Sequence, residues 1–457
     1  MNFAQKFLIF FLTTAHKCSI LKKRVVGNYF GKYHIFRDPI HGFIKVYDIE
    51  RRIVDTSVFQ RLRRIKQLGT TYLVYHGADH TRFAHSLGVM ELADRVFNTI
   101  VEKDRIGDKI VEWTSDRVQV EKKRALIRLV ALLHDIGHPA FSHVGEKDLF
   151  KPGVSHKHYS AKIIMGHPEL RSVLESQEIK EMDITPDKLS DFILGRYPDP
   201  ILQQIVDGPL DVDKMDYLWR DSYFTGVHYG RFDIDRLIHT LLIAELRQQP
   251  VLGIEEGGIL AAEGLILARY YMFLQVYFHD IRRAYDFHLS DFLKLVLPEG
   301  RYPEDLQDYL VYDDFYVVHL LHEAMKGNDE KSEKAKPMVK RKHYKPIHYK
   351  ELRNPITAKW EKEKFYENAE HLRNDSKFKD IDFRIDVASE APNKFAEEGE
   401  DFIYKVEDES VPPRYKNINY KTDLLKNLGK FDILRLYCPD SPILEEIKSH
   451  LRTMQWE

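Results

Sequence analysis

Over most of the first 300 residues, apolar positions recur with the period of a helix. Phe59, Leu62, Ile65 and Leu68 are spaced by three, and Leu87, Val89, Met90, Leu92, Ala93 and Val96 continue an apolar face. From Ala125 to Leu133 only Arg128 interrupts the apolar run, which predicts a helix buried almost all round rather than an amphipathic surface helix. Gly137 and Pro139 are expected to stop it. Tyr270 to Leu297 reads as another long, aromatic-rich helical stretch, and strand signals are scarce before residue 300.

Beyond that point the pattern changes. Gly327 to Lys350 is rich in Lys, Arg and Glu and poor in large aliphatics, as in a linker or solvated loop. Ile381 to Val387 and Phe402 to Val406 alternate as strands do, Asp432 to Leu436 supplies a third strand signal, and Ile443 to Leu451 reads as a closing helix. The expected fold is mainly α, a helical core with a smaller C-terminal α+β region. Its expected parts are a leader or N-terminal extension (1–33), a helical domain (34–300), a helical extension and charged linker (301–350) and the α+β region (351–457). There is no internal repeat and no low-complexity tract.

Composition narrows this picture only a little. The 457 residues suffice for a large core and a deep site, and a net charge of -2 gives no global attraction to nucleic acid or membrane, so any polyanion must be held locally. Cys18 and Cys438 cannot form a disulfide framework, which fits a reducing cytosol and predicts a cytoplasmic protein. Phe7 to Leu12, after Lys6, resembles a weak signal-peptide core, but it is too short to span a bilayer and no clean cleavage site follows. No other segment reads as transmembrane.

The candidate chemistry begins where the greasy run ends, at Leu132-Leu133-His134-Asp135-Ile136-Gly137-His138-Pro139. A buried carboxylate needs a cation or several donors, and an adjacent imidazole points to a metal. Standing alone, the pair would read as a satisfied core contact; its company changes that. Upstream lies His80-Thr81-Arg82-Phe83-Ala84-His85, with Arg82 and His85 on one helical face. Downstream lies Asp211-Val212-Asp213-Lys214-Met215-Asp216-Tyr217-Leu218-Trp219-Arg220-Asp221, in which Lys214, Tyr217 and Asp221 share a stripe. That segment alone would read as a solvated charged helix, although Met215, Leu218 and Trp219 argue against full exposure. His85, His134-Asp135 and one Asp of the last segment supply two nitrogens and two carboxylates, suited to Mg²⁺ or a first-row divalent ion with open positions and unlike a closed, cysteine-rich zinc site. Hydrolysis of a phosphate ester or anhydride is the natural reaction of such a centre.

Over residues 36 to 290 the chain resembles the HD-domain metal-dependent phosphohydrolases, and within them the deoxynucleoside triphosphate triphosphohydrolase branch. The phrases that carry the resemblance are Arg37-Asp38-Pro39-Ile40-His41-Gly42, Phe59-Gln60-Arg61-Leu62-Arg63, Lys66-Gln67-Leu68-Gly69, Arg82-Phe83-Ala84-His85-Ser86-Leu87-Gly88, His134-Asp135-Ile136-Gly137-His138 and Asp211 to Asp221. The resemblance implies an HD-domain helical core binding one divalent metal ion (Mn, Fe, Mg or Zn) through His85, His134, Asp135 and Asp213, with Asp211 and Asp216 in supporting places. It makes Arg82, His138, His143 and His156 phosphate contacts and proton-transfer groups; the Glu that usually follows the last of these is Lys157 here. Gln67 and Leu68 would meet the sugar, Leu68 crowding the 2′ position, with Lys214 at a phosphate, Tyr217 and Asp221 on the 3′ side, and Tyr285 against the nucleoside. Tyr277 stands where some relatives carry an Arg for the terminal phosphate, a loss that Arg282 or Arg283 would have to offset. Asp55, Gln60 and Arg63 resemble the guanine-reading set of nucleotide-activated, tetrameric relatives, and equally fit a helix-start Asp beside a surface polar pair.

The expected activity is therefore cleavage of deoxynucleoside triphosphates to deoxynucleoside and tripolyphosphate by a homo-oligomer, tetramer or dimer, with a guanine nucleotide as activator. The alternatives are an HD-type 5′-nucleotidase or cyclic-nucleotide phosphodiesterase. A less favoured one is single-stranded nucleic-acid binding through the Lys331 to Lys350 cluster with Tyr344 and Tyr349.

Overall fold

The computed structural model describes residues 29–106, 112–144, 146–353, 356–393, 402–408 and 413–454; the Phe7 to Leu12 run and Cys18 lie outside them. Two strands, β1 (Tyr33–Asp38) and β2 (Gly42–Tyr47), pair antiparallel ahead of the helices. Their turn is closed by Asp38, whose Oδ1 accepts from Ile40 N (2.8 Å) and His41 N (3.0 Å), and by Gly42 in the left-handed region at φ +74°. The chain then enters α1 (Asp48–Val54).

Two long helices, α2 (Arg82–Ile106) and α3 (Arg117–Leu133), pack along each other and form the main core, with Leu92, Phe97, Leu129 and Leu133 fully buried. Arg128, the one charge in the α3 run, is fully buried and reaches both carboxylate oxygens of Glu50 in α1 (2.6 and 2.7 Å) and the Lys45 carbonyl (2.8 Å). Burial of a charge is tolerated here because it is paired and hydrogen-bonded. Helix α3 ends at Leu133 with His134 as its cap, about a turn before the expected stop at Gly137. The predicted helical spacing from Phe59 to Leu68 holds only in part: one α turn (Ser57–Gln60) passes into a 3₁₀ turn (Arg61–Arg64), and Ile65 is already extended, although all four apolar residues are buried.

Next come α4 (His156–Gly166) and α5 (Val212–Thr225), the latter capped by the Asp211 side chain on Lys214 N and terminated by Gly226 at φ +79°. A hairpin of β3 (Leu241–Leu246) and β4 (Gln249–Glu255) follows, so the described region before residue 300 holds four strands where few were expected. The anticipated single helix from Tyr270 to Leu297 is two: α6 (Ile259–Met272) widens into a π turn at Phe273–Tyr277 and breaks, and α7 (Asp280–Val296) restarts behind the His279 side chain as its cap. The apolar stretch Glu256–Tyr277 is long enough to cross a membrane, but more than half of it is buried inside the protein.

After α8 (Asp314–Ala324), the segment expected to be a linker is instead α9 (Glu330–Val339) followed by a strand, β5 (Lys345–Leu352). Ser332, Ala335 and Met338 face inward while the lysines remain on the outside, so composition alone misread it. Beyond α10 (Ala358–Asn374), β6 (Arg384–Glu390), β7 (Ile403–Lys405), β8 (Tyr415–Asn417) and β9 (Phe431–Cys438) precede the closing α11 (Leu444–Thr453). Strands β5, β9 and β6 form an antiparallel sheet in that order, covered by α10 and α11 through Phe365, Leu372, Ile447 and Leu451. Strands β7 and β8 extend the β3-β4 hairpin, β7 parallel to β4, which ties the C-terminal region into the helical body.

Candidate active site

Three helices distant in sequence bring the predicted ligands together. His85 lies one turn into α2, His134 and Asp135 cap and follow α3, and Asp213 sits in the first turn of α5. Ligand-capable atoms of His85, His134 and Asp213 lie within 4.8 Å of one another. The two Asp135 oxygens add the fourth group, Oδ2 lying 3.5 Å from His85 Nε2 and Oδ1 3.4 Å from His134 Nε2.

Each imidazole is aimed by its far nitrogen. His85 Nδ1 is 2.8 Å from Asp216 Oδ2, and Asp216 is itself held by Arg220 and by His41 Nε2 (2.6 Å), while Arg220 also pairs with Asp38. His134 Nδ1 meets the Ala131 carbonyl at 2.8 Å. These contacts fix the tautomers and leave both Nε2 atoms buried without a hydrogen bond, the condition of a metal-ligating histidine. Burial works against protonation of His85, but Asp213 and Asp216 outweigh it and hold the imidazole up to about 10; Asp135 and Asp213 raise His134 in the same sense. The pocket thus favours positive charge at the point where the four groups converge, and its donor set fits a divalent ion.

Next to this centre stand three more histidines. His138 Nε2 is 3.2 Å from Asp135 Oδ1, and its ring stacks on that of His156 at 3.8 Å, with the His143 ring edge-on to both. Glu146, a residue not anticipated from the sequence, joins two of them: Oε2 meets His143 Nδ1 at 2.7 Å and Oε1 meets His156 Nδ1 at 2.9 Å. Its spacing of three from His143 was the available signal. Lys157, where a Glu was expected, turns away to Asp207 (2.6 Å). Burial keeps His138 and His156 neutral more readily than a free imidazole, while burial acts against the Glu146 charge and His143 and His156 override it, holding the carboxyl well below the usual range. Arg82 pairs with Asp135 and donates from Nε to Ser142 Oγ (2.8 Å). A cavity of about 70 Å³ opens onto His134, Asp135, His156 and Asp213.

The remaining predicted residues are dispersed around this centre. Gln67 is buried with Oε1 unpartnered, and Leu68 is buried beside it. Lys214 Nζ is engaged by Asp211 and the Gly208 carbonyl. Asp221 accepts from His80 Nε2 and from the Tyr277 hydroxyl, each at 2.7 Å, and Tyr217 lies edge-on to Tyr277. Tyr285 is fully buried in a second core with Phe141 and Val144. Arg283 is paired with Asp386 (2.5 Å) and Arg282 donates to the Tyr277 carbonyl (2.6 Å), so both are already engaged. Asp55 pairs with Arg51, while Gln60 accepts from Arg63, whose guanidinium lies over the Phe83 ring.

Residues 82–205 match the HD domain family and residues 232–394 the HD associated region. The uncharacterized protein YwfO of Bacillus subtilis is 38% identical over 57% of this chain and 55% of its own length. The deoxynucleoside triphosphate triphosphohydrolase SAMHD1 of Gallus gallus is 27% identical over 68% of this chain and 55% of its own length. The chain thus spans little more than half the length of these relatives. A crystal structure of a phosphohydrolase from Bacteroides thetaiotaomicron superposes with a TM-score of 0.67 at 26% identity, over 90% of this chain and 100% of the other.

Proposed function

We propose that this chain, which carries an HD domain with the HD associated region behind it, is a divalent-metal-dependent phosphohydrolase that converts deoxynucleoside triphosphates to deoxynucleoside and inorganic tripolyphosphate. The observation that carries the proposal is the convergence of His85, His134, Asp135 and Asp213, with two buried imidazole Nε2 atoms facing the carboxylate oxygens, beside three further histidines. A divalent ion held there supplies polarisation of a phosphoryl oxygen and a lowered pKa of water. Arg82, bridging Asp135 and Ser142, offers its guanidinium to phosphate oxygens, while water attacks the α-phosphorus. His143, its side chain 59% exposed and its Nδ1 held by Glu146, presents Nε2 to protonate the departing 5′ oxygen; His138 and His156 line the phosphate path. Gln67 and Leu68 meet the sugar, Leu68 disfavouring a 2′ hydroxyl, and Lys214, Tyr217, Asp221 and Tyr285 complete the nucleotide pocket. A guanine-nucleotide site at Asp55, Gln60 and Arg63, within a cytoplasmic homo-oligomer, belongs to the same proposal.

One observation favours a substrate with fewer phosphates: Tyr277 bonds to Asp221, and Arg282 and Arg283 are taken up elsewhere. The second reading is therefore a 5′-nucleotidase or cyclic-nucleotide phosphodiesterase on the same centre. Incubation with each dNTP and Mn²⁺, Mg²⁺ or Fe²⁺, with and without GTP, separates the two by product. Tripolyphosphate supports the proposal; orthophosphate from dNMP, or opening of a cyclic nucleotide, supports the alternative.

Replacing Glu146 by Gln is expected to lower kcat by about 10–100-fold with Mn²⁺ affinity unchanged, because it leaves one acceptor oxygen where His143 and His156 each use one, without touching a ligand. Steady-state kinetics beside a Mn²⁺ titration checks this, and a matching loss of affinity would reassign Glu146 to the metal centre.

A further inference from the structure

Helix α8 begins with a carboxylate that no motif announces. Asp314 is 1% exposed and is 173 and 248 residues away in sequence from the groups it binds: Oδ1 accepts from Phe141 N at 2.7 Å and Oδ2 from Lys66 N at 2.8 Å. Lys66 precedes Gln67 and Leu68, the residues assigned to the sugar, and Phe141 lies in the loop between His138 and His143. That loop is strained, since Phe141 and Ser142 both sit at φ +57°, in the left-handed region that non-glycine residues avoid. A strained functional loop persists only where its surroundings over-determine it. Here the Ser142 hydroxyl donates to the Lys66 carbonyl (2.6 Å), Arg61 donates to the His138 carbonyl (2.8 Å), and Asp314 holds one amide on each side.

We propose that Asp314 is a positioning residue whose carboxylate clamps the Lys66–Leu68 segment to the His138–His143 loop, setting the distance between the sugar and the histidines that meet the phosphates. The clamp rests on geometry alone; only its assignment to sugar and phosphate rests on the dNTP reading. The two amide donors are met by the two oxygens of one side chain, one each. Burial pushes this carboxyl up to about 7, against the two amides and the facing charges of Lys66 and Arg61. Tyr72 and Tyr302 also lie within electrostatic reach, and the neighbouring Asp313 is paired with Arg64 at 2.5 Å. The carboxyl lies above its unfolded value of about 3.9, so its stabilising contribution is present below that pH and is lost as pH rises through about 7.

Hydrogen exchange on the intact protein tests the clamp directly. After correction for intrinsic rates, protection of the Phe141 and Lys66 amides is expected to be at least about 10-fold lower in Asp314→Ala than in the wild type, with α3 and β9 amides unaffected. Equal protection of both amides in wild type and variant would overturn the clamp, whatever substrate the protein hydrolyses. On the substrate identified by the product assay, Asp314→Asn is expected to lower kcat about 10-fold and Asp314→Ala about 100-fold at pH 8, with Mn²⁺ affinity unchanged. Wild-type kcat in a variant whose two amides exchange faster, or a loss that merely follows Tm, would overturn the positioning role.

Discussion

Asp213→Ala is expected to abolish stoichiometric Mn²⁺ binding and to lower hydrolysis by at least about 10³-fold, beyond the roughly 10–100-fold cost of losing a partner that merely orients a ligand. The expectation follows from where the side chain sits. Asp213 Oδ1 is 2.9 Å from His85 Nε2 and 3.6 Å from His134 Nε2, so it joins both histidines in the ligand set. Burial acts against its charge, yet His134 and His85 hold its carboxyl below the usual range. At 35% side-chain exposure it fills no core volume, and α5 keeps its cap from Asp211, so the variant should fold. One stability effect is expected in the metal-free protein. His85 is raised to about 10 by Asp213 and Asp216, so the stability it contributes is complete below about 6.5 and lost as pH rises through about 10; removing Asp213 shrinks that contribution. Calorimetric Mn²⁺ titration, initial rates and thermal unfolding at pH 6 and 9 measure all three effects. Full metal stoichiometry in a folded Asp213→Ala variant would remove Asp213 from the centre.

Gly137→Ala is expected to cost about 3–5 kcal/mol of stability, combining overpacking with strained buried hydrogen bonds, and to depress turnover through His156. A Cβ on Gly137 would fall 2.1 Å from Ser160 N and 2.6 Å from the His156 carbonyl oxygen. Both atoms are backbone at the start of α4, which cannot yield as a flexible side chain would. The same contact is laced by Gly137 N donating to Ser160 Oγ (2.9 Å), by Ser160 Oγ donating to the His134 carbonyl (2.9 Å) and by the Tyr309 hydroxyl donating to the Gly137 carbonyl (2.6 Å). Pushing α4 away moves His156 off Glu146 and His138. Urea unfolding with rates measured well below the midpoint checks both effects; stability within about 1 kcal/mol of wild type would show that the two segments are not in close contact.

Glycine at position 137 reads in the sequence as a helix stop, and the structure gives it a different task, the close approach of two backbones. The same division between local and long-range information runs through the chain. The buried α3 run, the His134-Asp135 step at its end and the α5 phrase were legible because each is a contiguous string whose polarity is locally anomalous. The early strands were not: Tyr33, Ile35 and Phe43 are exposed apolar residues on the β1-β2 hairpin, which blurs the alternation that marks a strand. In β3-β4, Leu242, Ala244, Val251, Leu252 and Ile254 are all buried, a run without period that merges with the surrounding helices. In the site, Glu146 acts over a short stretch of chain and Asp314 across the fold. Glu146 occupies an ordinary turn near His143, and Asp314 looks like any acidic residue at a helix start. Spacing hints at the first of these contacts, whereas only tertiary packing places Asp314 between two loop amides.

The bond broken in the proposed reaction joins the α-phosphorus to the 5′ oxygen. Hydrolysis of a dNTP in ¹⁸O-labelled water by the Mn²⁺-loaded protein, read by mass spectrometry of all products, tests it most directly. Attack at the α-phosphorus predicts one ¹⁸O in tripolyphosphate and none in the deoxynucleoside. Label in orthophosphate with dNDP or dNMP remaining, or in the deoxynucleoside, would contradict it.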